Sequence, residues 1–441
     1  MHDWFDELAQ WLRIPSISAD PGHAGDVRAA GRWLCELISA AGGESELIDW
    51  NGQPLAVGEL RASSGADRAP TVLCYGHFDV QPPDPLELWS SDPFEPQIRD
   101  GRLYARGVAD DKGQLYMLAA AARELARGGR LAVNVRFACD GEEETGGHSI
   151  LDFLGEDRRG ADAAVIFDSG MIAADRPAFN VATRGLAYFH LTLRTGERDL
   201  HSGIYGGAAL NAANALAATL AAALPAGGRL PEPLREGISP PTRAELQSWA
   251  TLPAGSDELR SQGATPADPA AAEEFYLRTF AEPALDVNGI QTGSPHLQKT
   301  VLPCEAHANV SIRLAPGQDP ATIARAFERL LRQAAPAGAR LEVWLLSASP
   351  PGLVDPDSRA VQLGLAAFER ALGSRPALIR SGGTLPIVPA LGALGIPSII
   401  TGFSLSDSNI HAPDECLPVD HIRRGIEAAT ALFCELAALA D

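Results

Sequence analysis

The 441-residue sequence predicts an α/β fold, in which a mainly parallel sheet is flanked by helices and interrupted by a smaller α+β domain. Short apolar runs at residues 70–75, 131–139 and 161–167 have the length and composition of buried strands. Helical periodicity predicts helices at residues 26–41 and 111–127. Two glycines follow the first helix, and the second begins with an acidic residue and ends with arginine, as the helix dipole favours. Alternation of strands and helices is typical of a parallel sheet.

A second domain is predicted to begin after Arg184 and Gly185, where the sequence pattern changes. Alternating apolar and polar residues predict antiparallel strands, and an alanine-rich stretch and a periodic segment predict helices. The strands are expected at 186–195, 307–314 and 340–346, and the helices within 202–228 and at 320–334. Residues 225–295 are rich in proline, glycine and serine and contain few periodic signals.

The strand and helix pattern of the first part resumes at residues 358–372, 396–401 and 419–439. We therefore predict a chain of two domains. Residues 1–184 and 353–441 would form one domain, and residues 185–352 would be inserted in it.

The composition argues against binding to two classes of partner, nucleic acid and membranes. There are 36 Lys and Arg residues against 56 Asp and Glu residues, for a net charge of −20, which repels nucleic-acid phosphates and anionic lipid. The uncharged stretch 202–228 contains much alanine and glycine and also Pro225, so insertion into a membrane would be poorly favoured. We expect neither nucleic acid nor a membrane among the partners of this protein.

Six cysteines lie far apart in the sequence without a CxxC pair, which favours free thiols over a disulfide framework. The acidic sequence that begins MHDWFDE lacks the basic and then apolar pattern of a secretory signal. We therefore expect a cytoplasmic protein.

Ionisable side chains follow three of the predicted strands and occupy two further loops. In an open parallel sheet, such positions meet at the carboxyl edge, where ligands bind. Each motif alone is more often structural: a lone histidine in a turn, a solvated run of glutamates or a helix start. Together they offer a ligand set that suits zinc or manganese. The residues are His77, Asp79, Asp110, Asp111, Glu142, Glu143, Glu144, Asp168 and His411.

Ten segments between residues 75 and 415 carry a resemblance to a known family: YGHFDVQP, WSSDPFEP, LYARGVADDKGQ, DGEEETGG, IFDSG, RDLHSGIYGG, QKTVLP, SIRLAPG, RSGGTLP and NIHAPDE. They resemble the dinuclear metallopeptidases that include cytosolic non-specific dipeptidase, carnosinase, glutamate carboxypeptidase, acetylornithine deacetylase and succinyl-diaminopimelate desuccinylase. RDLHSGIYGG and GVADDKG are most similar to the dipeptidase and carnosinase branch. The resemblance implies a zinc-peptidase-like catalytic domain, with residues 185–352 as a lid and dimerisation domain.

The resemblance also implies two divalent ions in each subunit, zinc first, with manganese or cobalt as alternatives. His77 and Asp168 would bind one ion, Glu144 and His411 the other, and Asp110 would bridge them. Asp79 would accept a hydrogen bond from His77 and fix its tautomer, and Glu143 would be the general base for a hydroxide that bridges the ions. In that family the peptide bond after the bridging aspartate is cis, so we predict a cis bond between Asp110 and Asp111.

Other residues are assigned to the substrate by the same resemblance. His201 would stabilise the tetrahedral oxyanion in the active site of the neighbouring subunit, although a histidine capped at a helix start is a serious alternative. Arg313 would clamp a substrate carboxylate, unless it is a solvated arginine on a strand. Thr300, Gly383 and Thr384 match positions near the carboxyl side of the substrate.

The predicted activity is metal-dependent hydrolysis of dipeptides or short peptides by a homodimer. Aspartate at position 168 favours substrates with a free amino terminus, according to a tendency within the family. One alternative is a deacylase or amidohydrolase that acts on N-acyl or N-carbamoyl amino acids. Another is a non-catalytic binding protein, which would be expected to have lost a metal ligand or the general base. All six of these positions hold suitable residues: His77, Asp110, Glu143, Glu144, Asp168 and His411. The sequence contains no GxSxG motif of a serine hydrolase.

Overall fold

The computed structural model describes residues 3–440. The helices are α1 (Asp3–Leu12), α2 (Ala24–Ser39), α3 (Lys112–Arg127), α4 (Ser149–Glu156), α5 (Ser202–Tyr205), α6 (Ala212–Ala221), α7 (Arg243–Trp249), α8 (Gly255–Ser261), α9 (Pro320–Ala334), α10 (Arg359–Leu372), α11 (Ile387–Ala393) and α12 (Val419–Glu435). The strands are β1 (Glu44–Trp50), β2 (Gln53–Leu60), β3 (Thr71–His77), β4 (Gln97–Arg99), β5 (Arg102–Tyr104), β6 (Asn134–Asp140), β7 (Ala163–Phe167), β8 (Ala178–Thr183), β9 (Gly185–Arg194), β10 (Leu200–His201), β11 (Ala284–Thr292), β12 (Val301–Leu302), β13 (Glu305–Leu314), β14 (Arg340–Ser349), β15 (Gly352–Leu353), β16 (Ala377–Ser381), β17 (Ser398–Thr401) and β18 (Cys416–Pro418).

The chain forms two compact units. The first contains the residues up to 181, together with 354–379 and those from 390 onward. The second contains residues 182–353 and 380–389. Among the residues from 3 to 440, no helix is long and apolar enough to cross a membrane.

The first unit is built on a six-stranded sheet with the order β1-β2-β6-β3-β7-β17. The pairs β6–β3, β3–β7 and β7–β17 are parallel, which confirms the predicted mainly parallel sheet. The hairpin β1–β2 adds an antiparallel edge to β6. Every residue of β6 and β7 is buried, as expected for strands covered by helices on both faces.

Helix α3 is largely buried and begins beside the carboxyl edge of this sheet. Its first residue, Lys112, is completely buried and donates hydrogen bonds from Nζ to the main-chain oxygens of Trp11 at 3.2 Å and Ile14 at 2.7 Å. A Cβ at Gly113 would lie 2.0 Å from the main-chain oxygen of Val108, so only glycine fits there. These contacts fix the start of the helix relative to the loop that precedes it.

The second unit has an antiparallel sheet with the order β11-β13-β9-β14. Its core joins inward-facing strand residues such as Phe189 and Val310 with apolar residues of α6 and α9, such as Leu216 and Phe327. Helix α9 has the predicted limits. The predicted alanine-rich helix is shorter than expected, because the side chain of Asn211 caps α6 by accepting the N–H groups of Ala213 and Asn214.

Candidate metal centre

The residues predicted to bind metal all belong to the first unit. His77 ends β3, Glu143 and Glu144 form a turn after β6, and Asp168 directly follows β7. Asp110 lies in the loop before α3, and His411 lies in the loop before β18. Because β3, β6 and β7 are parallel neighbours, their carboxyl ends meet at one edge of the sheet.

Asp110 connects two histidines through its two carboxylate oxygens. Its Oδ1 lies 2.9 Å from Nε2 of His77, and its Oδ2 lies 2.9 Å from Nε2 of His411. Nε2 of His411 also lies 3.1 Å from Oε2 of Glu144. Ligand atoms of His77, Asp110 and Glu144 all lie within 4.8 Å of one another. Asp110 therefore has the contacts expected of a bridging ligand.

The residues present fit divalent ions. An imidazole nitrogen and a carboxylate oxygen approach to 2.9 Å only when a proton or a cation lies between them. Oε1 of Glu144 is buried without a hydrogen-bond partner, which is costly unless another ligand satisfies it. Imidazole and carboxylate groups together suit zinc, manganese or cobalt.

The site concentrates negative charge. Burial, reinforced by the charge of Asp110, raises the pKa of Asp168 to about 7. Burial also raises the pKa of Glu143 to about 8; the charge of His77 opposes this shift, and the neighbouring carboxylates add to it. Burial would raise the pKa of Asp110 too, but hydrogen bonds from the two histidines hold it well below its usual range. Hydrogen bonds to carboxylates raise the pKa of His411 to about 10. Divalent ions would relieve this excess of negative charge.

Asp79 holds the turn that carries the two glutamates. Its Oδ1 accepts the N–H of Glu143 at 3.3 Å, and its Oδ2 accepts the N–H of Glu144 at 3.1 Å. Nδ1 of His77 lies 3.1 Å from the main-chain oxygen of Asp79 and 3.4 Å from its Oδ1. Both are acceptors, so a proton on Nδ1 leaves Nε2 of His77 free for a metal.

The loops of this site have unusual backbone geometry. The peptide bond between Asp110 and Asp111 is cis, as predicted. His411 has a φ of 58°, in the left-handed region that a residue with a side chain rarely adopts. A left-handed conformation in a residue with a side chain is costly, is kept only where the surrounding structure holds it, and is found most often at functional sites.

Sequence reasoning gave no role to two residues that contact the predicted ligands. Gln81 donates from Nε2 to Oε2 of Glu144 at 2.8 Å. Glu415 is fully buried and accepts the main-chain N–H of Asp110 at 3.1 Å. Both lie within the family-like segments YGHFDVQP and NIHAPDE, so they could have been singled out as polar neighbours of His77 and His411.

The predicted substrate residues form two groups in the second unit. His201 caps α5 by accepting the N–H of Gly203 on Nδ1 at 3.0 Å. In the antiparallel pair of β10 and β12, His201 lies opposite Val301. The main-chain oxygen of the preceding residue, Thr300, accepts the N–H of Ser202 at 2.9 Å. An acceptor role for Nδ1 leaves the hydrogen on Nε2, which is therefore available as a donor.

In the other group, Nη1 of Arg313 donates to Oγ1 of Thr384 at 3.1 Å, beside Gly383. The buried Arg184 donates its main-chain N–H to the oxygen of Gly383 at 3.1 Å. Burial, and then the positive charge of Arg313, lower the pKa of Arg184 to about 10. Nη2 of Arg184 donates to the main-chain oxygens of Arg278 at 3.2 Å and Glu282 at 2.7 Å, and the charge of Asp286 opposes the lowering of its pKa.

The sequence model of the family described as Peptidase family M20/M25/M40 matches residues 73–435. The chain is 28% identical to the cysteinylglycine-S-conjugate dipeptidase of Corynebacterium striatum, over 95% of this chain and 92% of that protein. It is 25% identical to the Beta-Ala-His dipeptidase of Homo sapiens, over 99% of this chain and 90% of that protein. A solved structure, the M20 family metallo-carboxypeptidase Sso-CP2 from Sulfolobus solfataricus, matches with a TM-score of 0.85 and 26% identity, over 99% of this chain and 100% of that one.

Proposed function

The chain belongs to peptidase family M20/M25/M40, and from this membership we propose that it hydrolyses dipeptides in a metal-dependent reaction. The observation that carries the proposal is Asp110, whose two oxygens each lie 2.9 Å from a histidine nitrogen. Two relatives that match over nearly the whole chain are named dipeptidases, which supports this substrate class.

Five residues would hold two divalent ions: His77 and Asp168 for one, Glu144 and His411 for the other, with Asp110 shared. Zinc is the proposed metal, and manganese or cobalt would also suit these ligands. When bound, the ions would polarise the scissile carbonyl and lower the pKa of the attacking water. The unpartnered oxygen of Glu144 supports this assignment.

Glu143 would take a proton from the attacking water and pass it to the leaving amine. It is half-buried and directly precedes the predicted ligand Glu144 in the turn after β6. Asp79 would keep Glu143 in place through the hydrogen bond to its N–H.

In the second unit, Arg313 would bind the carboxylate of the substrate, with Thr300, Gly383 and Thr384 nearby in the same role. Its lack of a carboxylate partner among residues 3–440 supports an anionic ligand. The Nε2–H of His201 would donate to the oxyanion in the active site of a second subunit. His201 is exposed, and its tautomer suits a donor role.

The protein would act as a homodimer through its lid domain, residues 185–352. Strand β14 lies at the edge of its sheet, and Trp344 is 53% exposed and Leu346 60% exposed. An apolar, unpaired strand edge favours association with another chain.

We place the protein in the cytoplasm, because its cysteines are all free. Cys74 and Cys139 are completely buried, and burial raises the pKa of both thiols, which keeps them unreactive. Free thiols of this kind suit a reducing compartment.

A second candidate activity is removal of the carboxyl-terminal residue from longer peptides. The observation in its favour is the 26% identical metallo-carboxypeptidase structure, which this chain matches over its full length. An arginine that binds the terminal carboxylate would serve either reaction.

Hydrolysis of a substrate panel tests the proposal. Free dipeptides, N-acetyl amino acids and N-blocked tripeptides would be compared with apo, zinc-loaded and manganese-loaded protein. Metal-dependent cleavage of the free dipeptides alone is the expected result. Cleavage of the blocked tripeptides would support the carboxypeptidase, and cleavage of the N-acetyl amino acids alone would indicate a deacylase.

A further inference from the structure

Arg106 and Glu415 form an ion pair in the first unit, beside the predicted metal ligands. Nη1 of Arg106 lies 2.6 Å from Oε2 of Glu415, and both side chains are 0% exposed. Replacing such a buried pair by apolar residues is often neutral or stabilising, so stability alone is a weak reason for its presence. The contacts around the pair indicate a different role.

Glu415 accepts three main-chain hydrogen bonds in addition to the one from Arg106. Its Oε2 accepts the N–H of Gly107 at 2.8 Å, and its Oε1 accepts the N–H groups of Ala109 at 2.7 Å and Asp110 at 3.1 Å. Charge-assisted bonds of this kind are stronger than neutral ones. Three main-chain N–H groups of the loop that ends at Asp110 are therefore bound by one carboxylate, that of Glu415.

Arg106 extends these contacts to two other loops. Its Nη2 donates to the main-chain oxygen of Pro82 at 3.3 Å and to that of Ala412 at 3.4 Å. Pro82 lies in the loop that follows His77, and Ala412 directly follows His411. The ion pair thus contacts three loops, and each of them contains or directly follows a predicted metal ligand.

We propose that Arg106 and Glu415 are positioning residues, which set the spacing of His77, Asp110 and His411 and thereby the affinity for divalent ions. Neither residue is among the predicted metal ligands or substrate contacts. The inference rests on the proposed metal-dependent function of the same site. Its physical basis is that the three ligands lie in or next to three separate loops, and one buried ion pair connects those loops. Loss of the pair lets the loops move independently, which weakens a geometry that binds metal.

The test measures zinc affinity of the full-length protein by competition with a chromogenic chelator. Glu415→Gln keeps the size of the side chain but turns one acceptor into a donor that faces other donors. We expect zinc binding to weaken about 10- to 100-fold, the range found when partners of metal ligands are removed. Binding of manganese, followed by electron paramagnetic resonance, should weaken in parallel.

A matched control comes from another buried ion pair of the same unit. Asp157 pairs with Arg136, which lies near the start of β6 and therefore toward the opposite end of that strand from Glu143. Asp157→Asn should lower the urea midpoint of the apo protein and leave zinc affinity at the wild-type value. Equal weakening of zinc binding by Asp157→Asn and Glu415→Gln would mean that general destabilisation is the cause, and the inference would be wrong.

Arg106→Lys is the second variant, in case Glu415→Gln fails to fold. It keeps the buried positive charge but loses the planar fork that reaches Glu415 and two carbonyl oxygens at once. Wild-type zinc affinity in either folded variant would overturn the inference. Absence of zinc and manganese binding by the wild-type protein would instead overturn the proposed function itself.

Discussion

The carboxylate of Asp79 accepts the main-chain N–H of Glu144 at 3.1 Å, and so anchors a turn whose side chains are a predicted ligand and the predicted base. Asp79→Ala removes this anchor. We expect about a 10- to 100-fold loss in zinc affinity or in kcat, as is usual when a partner of a metal ligand is removed. Asp79→Asn keeps one acceptor oxygen and should lose less. Wild-type zinc affinity and wild-type kcat in both variants would contradict the anchoring role.

Glu143→Ala should separate proton transfer from metal binding. Glu143 is assigned no metal contact, so zinc affinity should stay near the wild-type value, while kcat falls about 10²- to 10⁴-fold through loss of a general base. Chelator competition and steady-state kinetics on the same preparation check both parts. Near-normal turnover in this variant would show that another group takes the proton.

Subunit mixing tests whether His201 acts on the neighbouring active site. His201→Ala and Glu143→Ala homodimers should each be nearly inactive. A mixture allowed to exchange subunits should regain activity, because a heterodimer contains one site with both residues intact. Mass spectrometry would confirm the exchange, and no gain despite confirmed heterodimers would refute a role across the interface.

Arg313→Met should weaken recognition of the substrate carboxylate. We expect kcat/KM for free dipeptides to fall about 10- to 100-fold, mainly through KM, because a hydrogen bond to a charged group is lost. Dipeptide amides, which lack that carboxylate, should be affected little. Arg325→Met, an exposed arginine of α9, is the control for the loss of a positive charge. If the ratio of kcat/KM for free dipeptides to that for dipeptide amides is the same in Arg313→Met as in the wild type, the assignment is wrong.

The stability of the first unit should depend on pH through Glu7. Its carboxylate accepts hydrogen bonds from Tyr116 Oη at 2.7 Å and Arg123 Nη1 at 2.5 Å. Burial raises its pKa, but these bonds outweigh burial and lower the pKa below the ordinary value. Ionised Glu7 therefore stabilises the fold above the ordinary pKa of about 4.3, and this contribution is lost as the pH falls through the lowered value.

Glu7→Gln should accordingly reduce the free energy of unfolding by about 1–3 kcal/mol at pH 7, and the difference should shrink below about pH 4.3. Urea unfolding of the apo protein across this pH range measures it. Glu36→Gln, at an exposed position of α2, should show no comparable loss. A difference for Glu7→Gln that stays constant down to pH 3 would show that its charge is not the cause.

Local signals predicted some elements well. Helix α9 matches its predicted limits because Asp319 accepts the N–H of Thr322 at 2.7 Å and Pro320 follows as the first helical residue. The hairpin β1–β2 was missed, although Asn51 and Gly52 form its turn with φ of 51° and 85°, a sequence typical of such hairpins. Strand β11 was missed because its apolar alternation is limited to Leu285 and Val287 and stops at a bulge before Gly289, after which most residues are exposed.

The predicted ligands could be found from sequence because each follows a strand or lies in a family-like segment. His77, Asp110, Glu144 and His411 do converge in the structure. Glu415 could not be assigned a role in this way, because its partners are main-chain amides of a loop more than 300 residues away, which only the tertiary fold brings to it.

The scarcity of lysine gives the protein an unusual chemical property. Of its two lysines, Lys112 is buried and its Nζ donates hydrogen bonds to the carbonyl groups of Trp11 and Ile14, whereas Lys299 is exposed. An amine-reactive dye therefore has one ε-amino group to modify in the folded protein, apart from the amino terminus. Lys299 adjoins Thr300, a predicted substrate contact. A fluorophore attached there would report ligand binding without any engineered cysteine.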